Sequence, residues 1–226
     1  MTWSELLFAH WRFPSAEVAR LLPKGVTLET WDGDAWVGVV PFLMSDVAPR
    51  GCPAVPGVGR FLELNVRTYA TVNGKPGVWF FSLDAESRLA VRAARTLFHL
   101  PYMDASMSME ADEHAVTYQS HRTHRAEPSA NFDATYERSG DWFHAQVGTL
   151  EHWLTARYCL YSVNRKGQVY RGEIDHPPWT LASADYQQRT NSMGQSLDLD
   201  FSPTPHLLVA KPVTVQTWNL NSVSQE

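Results

Sequence analysis

The sequence predicts a mainly β protein with a few short helices, an α+β chain in which strands dominate. Three observations predict this. Phe61 to Tyr69 alternates with period 2. Asn73-Gly74 behind it is the pair that a two-residue type I′ hairpin asks for. Strand-like segments bounded by Gly, Pro, Asn or Asp recur from Leu6 to Trp218.

In chain order, Leu6 to Phe13 reads as a strand ending at Pro14, with Phe8, His10 and Arg12 on one side. Ser15 is placed to cap a short helix carrying Val18, Leu21 and Leu22. Val26 to Trp31 and Ala35 to Met44 follow as two strands joined through Asp32-Gly33-Asp34, which reads as a hairpin and the opening of a β-meander. Ala48 to Arg60 holds too much proline and glycine for a regular element and reads as a long surface loop. The strand at Phe61 then sends Leu62, Leu64, Val66 and Thr68 to one face and Phe61, Glu63, Asn65, Arg67 and Tyr69 to the other. Gly77 to Leu83 returns the chain after the Asn73-Gly74 turn. Asp84 to His99 is the strongest helix: Asp84 is its expected cap, and Leu89, Ala90, Ala93, Ala94, Leu97 and Phe98 form an apolar stripe expected to face the core. Arg88, Arg92, Arg95 and His99 share the opposite, solvated face. Further strands are expected from Tyr102, over Val116 to Arg122, Asn131 to Arg138, Arg157 to Asn164, Gln168 to Asp175, and in two short pieces between Leu207 and Trp218; Thr149 is expected to cap a short helix.

At 226 residues, with 44% hydrophobic residues and nine Trp, the chain suffices for one large domain, and no repeat or linker divides it. The formal charge of −5 and the lack of a basic cluster beside an aromatic platform argue against nucleic acid. Cys52 and Cys159 are too few for a disulfide framework and fit a reducing compartment. No run of 18 apolar residues and no leader-like N-terminus is present, so a cytoplasmic, soluble protein without membrane contact is expected.

The chemistry is sought on the polar face at Phe61 to Tyr69. Glu63 and Arg67 share it, but four residues along a strand is about 13 Å, so they do not simply neutralise one another. Buried, each needs another partner, from the protein or from a ligand; Arg12, Arg157 and His10 are candidates for Glu63. Glu63 is a candidate acid/base and Arg67 a candidate carboxylate clamp, with Asn65, Arg157, Tyr158 and Arg12 as further binding candidates. Tyr102, directly after Pro101, is placed to support a developing oxyanion. A structural ion-pair network, or a half-exposed strand with its polar side to water, uses the same residues without chemistry. No metal is expected, because His121 and His124 fall on opposite faces of a strand, and no Gly-rich phosphate loop or nucleophile elbow implies a cofactor.

The runs Asn65-Val66-Arg67-Thr68-Tyr69, Pro76 to Asp84, Leu100-Pro101-Tyr102, Ala156 to Tyr161 and His176-Pro177-Pro178-Trp179 closely resemble the YqjF-like family of bacterial proteins. That family is grouped with the acetoacetate decarboxylase-like fold, and the resemblance implies a cone-shaped, mostly antiparallel β-barrel with an internal ligand cavity, in a superfamily whose members form homo-oligomers. Phe61-Leu62-Glu63 resembles the glutamate-bearing strand of acetoacetate decarboxylase, and Leu100-Pro101-Tyr102-Met103 stands where that enzyme has Phe-Pro-Lys-Lys. Tyr102 therefore occupies the position of the Schiff-base lysine, and a phenol forms no imine with a ketone. The resemblance implies an enzyme acting on an oxo acid or related carbonyl compound by acid/base chemistry. The alternative is a binding protein that keeps the cavity without the reaction.

Overall fold

The computed structural model describes residues 1–48 and 59–223. The chain runs through β1 (Thr2–Ser4), β2 (Leu6–Pro14), α1 (Ser15–Ala19), β3 (Thr27–Leu28), β4 (Asp34–Ser45), β5 (Phe61–Val72), β6 (Lys75–Ala85) and α2 (Arg88–Leu97). It continues with β7 (Tyr102–Ala111), β8 (Ala115–Arg122), β9 (Asn131–Arg138), β10 (Phe143–His144), α3 (Leu150–Thr155), β11 (Cys159–Val163) and β12 (Val169–Asp175). β13 (Thr180–Asn191), β14 (His206–Ala210), β15 (Val213–Thr214), β16 (Gln216–Thr217) and β17 (Asn221–Ser222) complete it. Of the loop expected over 48–60, residues 49–58 lie outside the described residues.

Nine strands close into a ring. β14 pairs with β2, and the order continues β4, β5, β6, β7, β8, β9 and β13 back to β14. Every pairing in the ring is antiparallel except β6 with β7. β6 also has a second parallel partner: Val78 and Trp79 pair with Leu160 and Tyr161 of β11, whereas Leu83 to Ala85 pair with Tyr102 to Asp104 of β7. β6 thus forks between the barrel and a side sheet that continues through β12 to β16 and β17.

The ring encloses hydrocarbon. Leu7, Ala9 and Trp11 of β2, Val37 and Val39 of β4, Leu62, Leu64 and Val66 of β5, Tyr118 of β8 and Phe132 of β9 belong to one buried cluster. The Arg122–Asp84 ion pair, with contacts of 2.7–3.1 Å, shares this side of β8 and β6, both partners almost inaccessible. The opposite face of β5 is buried as well, beneath a layer made by α3, the 176–179 corner, Trp3 and β15. The resemblance implies a ligand cavity inside the barrel, but the polar face of β5 lies outside this ring, in an enclosed layer of its own.

Local expectations fare unevenly, each for a physical reason. The Asn73-Gly74 hairpin forms, with φ of 50° and 73° at the two turn residues and Val72 facing Lys75. The Trp31–Asp34 turn forms too, with φ of 51° and 84° at Asp32 and Gly33, but no hairpin extends from it: β3 joins β5 and β4 joins β2. Pro14 precedes α1, so Ser15 is its first residue and no side chain caps it. Asp84 belongs to β6, its carboxylate taken by Arg122, and Ser87 caps α2 by accepting from the Ala90 amide. The apolar stripe of α2 is split: Leu89 and Leu97 are 69% and 66% exposed, whereas Ala90 and Phe98 pack against the core, Ala94 is half-buried and Val91 is fully buried. The reason is electrostatic. Arg92 reaches Asp104 at 2.8 Å and Arg95 reaches the Tyr102 carbonyl at 2.6 Å, which ties two exposed arginines back to β7 and sets the rotation of the helix. Thr149 caps α3 as expected, accepting from the His152 amide at 3.3 Å. Tyr102 to Met109 alternates as read, with Met107 and Met109 against the barrel core. β13 was not expected: its polar composition hides a 12-residue strand that closes the ring between β9 and β14.

Candidate functional site

Cross-strand register assembles the polar layer. His206 of β14 lies opposite His10 of β2, His10 opposite Gly38 of β4, and Gly38 opposite Arg67 of β5. Gly38 is the space in this row: a Cβ there would fall 2.8 Å from His10 Nε2. The next rows set Val40 opposite Asn65 and Phe42 opposite Glu63. Tyr102, at the start of β7 beside Leu83, donates its hydroxyl to Glu63 Oε2 at 3.0 Å.

Glu63 is 2% exposed, and burial drives its carboxyl up to about 8, with the hydrogen bonds from Tyr102 and Asn65 pulling the other way. At neutral pH it carries its proton. Burial also pushes the Tyr102 phenol well above its ordinary value, and the neighbouring Glu63 adds to this. His10 is held well below its ordinary value by burial and then by the charge of Arg67, so its ring is neutral. Tyr69 donates to the Leu154 carbonyl at 2.8 Å and lies 2.6 Å from His10 Nε2. With its one proton committed to Leu154, the phenol accepts from Nε2–H, which leaves Nδ1 as a bare lone pair.

Arg67 is 8% exposed, forms no ion pair among the described residues and lies 5.2 Å from the Phe8 ring centroid and 5.9 Å from that of Tyr69. Arg157 is compensated: it pairs with Glu29 and donates to the Trp153 carbonyl at 2.7 Å, stacked 4.7 Å above Tyr69. Five of the buried side-chain atoms without a hydrogen-bond partner among the described residues belong to this layer, His10 Nδ1, Trp36 Nε1, Asn65 Oδ1, Arg67 Nε and Arg157 Nη2, while His206 Nε2 beside them lies 3.6 Å from Glu151 Oε1. Native interiors hold few such atoms, so their concentration sets this layer apart from the rest of the buried interior.

The structure thus brings Glu63, Asn65, Arg67 and Tyr102 together and places Arg157 at the rim of the same layer. Arg12 and Tyr158 are corrections. The Arg12 side chain is 65% exposed and bound to Asp34 at the barrel end, because β2 there runs past the covering layer. Tyr158 is 40% exposed and stacks on His176, 4.9 Å between centroids, on the outside. Nor do Arg12, Arg157 or His10 partner Glu63, whose partner is Tyr102. Tyr69 was placed on this face without a role, and Gly38 was missed as part of the site. An isolated glycine amid the valines of β4 was the available signal for Gly38. His124 binds Asp104 at 3.0 Å and His121 binds Asn131 at 2.6 Å; no metal-type cluster occurs among the described residues.

Residues 1–214 match the model of DUF2071, an uncharacterized conserved protein family. The chain belongs to the DUF2071 family. Within it, the chain is 40% identical over 224 residues to the uncharacterized protein YqjF of Bacillus subtilis (strain 168), covering 99% of this chain and 91% of that one. Among solved structures it is similar to the enduracididine biosynthesis enzyme MppR complexed with pyruvate, with a TM-score of 0.66 at 10% identity, covering 99% and 90% of the two chains. It is also similar to acetoacetate decarboxylase from Legionella pneumophila, with a TM-score of 0.62 at 10% identity over 97% and 84%. The mainly β barrel of the acetoacetate decarboxylase-like fold is thereby established, and with it a fold used by small-molecule enzymes. No helix of the described residues is long and apolar enough to cross a membrane.

Proposed function

We propose that the layer over β5 binds a small carboxylate-bearing carbonyl compound, of the oxo-acid class, and moves a proton on it without an imine. The observation that carries this is charge. With Glu63 protonated and His10 neutral, Arg67 is a buried cation without a counter-ion among the described residues, and the group that satisfies it best is an anion. A planar carboxylate offers the two-pronged acceptor a guanidinium fits, with Trp36 Nε1 and Arg157 Nη2 as further donors. Glu63 serves as base and then acid: its carboxylate form, held by the Tyr102 hydroxyl at 3.0 Å, takes the proton from the carbon beside the carbonyl, and the carboxyl so formed returns a proton to that carbon. A titration point near 8 suits an acid that must both give and regain a proton near neutrality. Of the lysines, Lys75 is paired with Glu173 and Lys211 lies 5.0 Å over the Trp142 ring, and Tyr102 stands where the resemblance puts the imine-forming amine. That MppR is found with pyruvate supports the ligand class.

The test is a thermal-shift screen of pyruvate and other short oxo acids, followed by deuterium exchange at the carbon beside the carbonyl of any hit. Glu63→Gln is expected to keep the ligand-induced shift and lose the exchange, whereas Arg67→Gln loses the shift. A shift without exchange in the native protein would make it a binding protein only. A covalent adduct trapped by borohydride with a ketone would overturn the imine-free route.

A further inference from the structure

A second site lies where β6 changes partner. Between the end of β11 and the start of β7 the edge of β6 is unpaired, and a groove of about 1470 Å³ opens there, walled by α2, the 163–168 turn and the 123–127 segment. A sheet that switches partners leaves such a crevice for geometric reasons. It is separate from the layer over β5, whose Glu63, Asn65 and Arg67 do not line it.

The groove's charge is out of keeping with the molecule. Five arginines and one lysine line it against two carboxylates, Asp104 and Glu127, in a chain whose formal charge is −5. Asp104 is already taken by Arg92 at 2.8 Å and by His124 at 3.0 Å. Arg88, Arg125 and Arg165 form no ion pair among the described residues, so the groove holds like charges together without neutralising them. At its floor Ser162, 2% exposed, has a buried hydroxyl without a partner. The same rotation of α2 that exposes Leu89 and Leu97 places Arg88, Arg92 and Arg95 on the groove.

We propose that this groove binds a phosphorylated small molecule carrying at least two phosphate groups, gripped by Arg88, Arg92, Arg95 and Arg165, with Ser162 reaching one phosphate oxygen. Guanidinium is preferred over ammonium here five to one, and its planar fork matches phosphate oxygens two at a time. His99 and Tyr170 on the wall, 5.1 Å between centroids and inclined at 50°, offer an aromatic face to a base.

Isothermal titration of the full chain with inorganic pyrophosphate and with ATP at low salt tests this. Both are expected to bind, ATP the tighter, with affinity falling as salt rises. The Arg88→Gln/Arg165→Gln double variant, which removes no described ion pair, is expected to lose affinity at least tenfold with an unchanged melting temperature. Ser162→Ala should weaken binding less, and Glu63→Gln should leave it untouched, which separates this site from the one over β5. No binding of either probe, equal binding by the double variant, or a single-stranded RNA oligomer that binds more tightly than ATP through the same arginines would overturn the proposal.

Discussion

The two faces of β5 share one backbone and are both inaccessible, yet they are opposite in kind. Leu62, Leu64 and Val66 pack into a cluster fed by strands from all around the ring. Glu63, Asn65 and Arg67 point into a layer with five polar atoms lacking a hydrogen-bond partner among the described residues, a carboxyl that keeps its proton and a guanidinium that pairs with no described carboxylate. The first face holds the barrel together; the second costs stability. A protein that keeps such a layer is held together elsewhere, and the difference shows where function can be sought without tracing it to the fold.

The sharpest way to break that comparison is Glu63→Gln. The folded protein holds this proton up to about 8 where the free carboxyl loses it near 4.5, so the native chain loses stability as pH rises through that window and the amide variant does not. The variant is expected to match the native protein below pH 4.5 and to exceed it above pH 8 by roughly 5 kcal/mol, at ~1.4 kcal/mol per pH unit, as read from urea denaturation at a series of pH values. A gap that does not grow with pH would place the carboxylate in a satisfied ion pair. On the other face, Leu64→Ala is expected to lower stability by about 3 kcal/mol at every pH, because it only opens a cavity. Gly38→Ala should cost about 1–3 kcal/mol by driving a methyl into His10, and should disturb the ligand-induced shift more than Leu64→Ala does. Arg67→Met is expected to raise stability by about 1 kcal/mol while abolishing the response to oxo acids, since it replaces an unpaired buried charge with hydrocarbon. Loss of the fold in Arg67→Met would show that the guanidinium is a structural tie. The smallest effect belongs outside the comparison: Thr149→Ala removes the cap of α3 and about 1 kcal/mol.

Where a short stretch decides its own conformation, the chain could be read directly. The period-2 pattern at Phe61, the Asn73-Gly74 turn and the Thr149 cap depend on neighbours a few residues apart, and all three are in place. The face bearing Glu63, Asn65 and Arg67 was legible for the same reason. Which side of the barrel wall that face occupies was not, because alternation gives two faces without saying which is inside. The partners of β3 and β4, the fork in β6 and the rotation of α2 were likewise decided by long-range register and by the competition of Arg92 and Arg95 for Asp104 and the Tyr102 carbonyl. Arg12 looked equivalent to Arg67 in alternation and differs only in lying beyond the covering layer. Sequence by itself determined which residues would be presented together, because strand periodicity is a local property of the backbone; only the tertiary structure decided what covers them, because burial, and with it the proton on Glu63, is set by segments a hundred residues away.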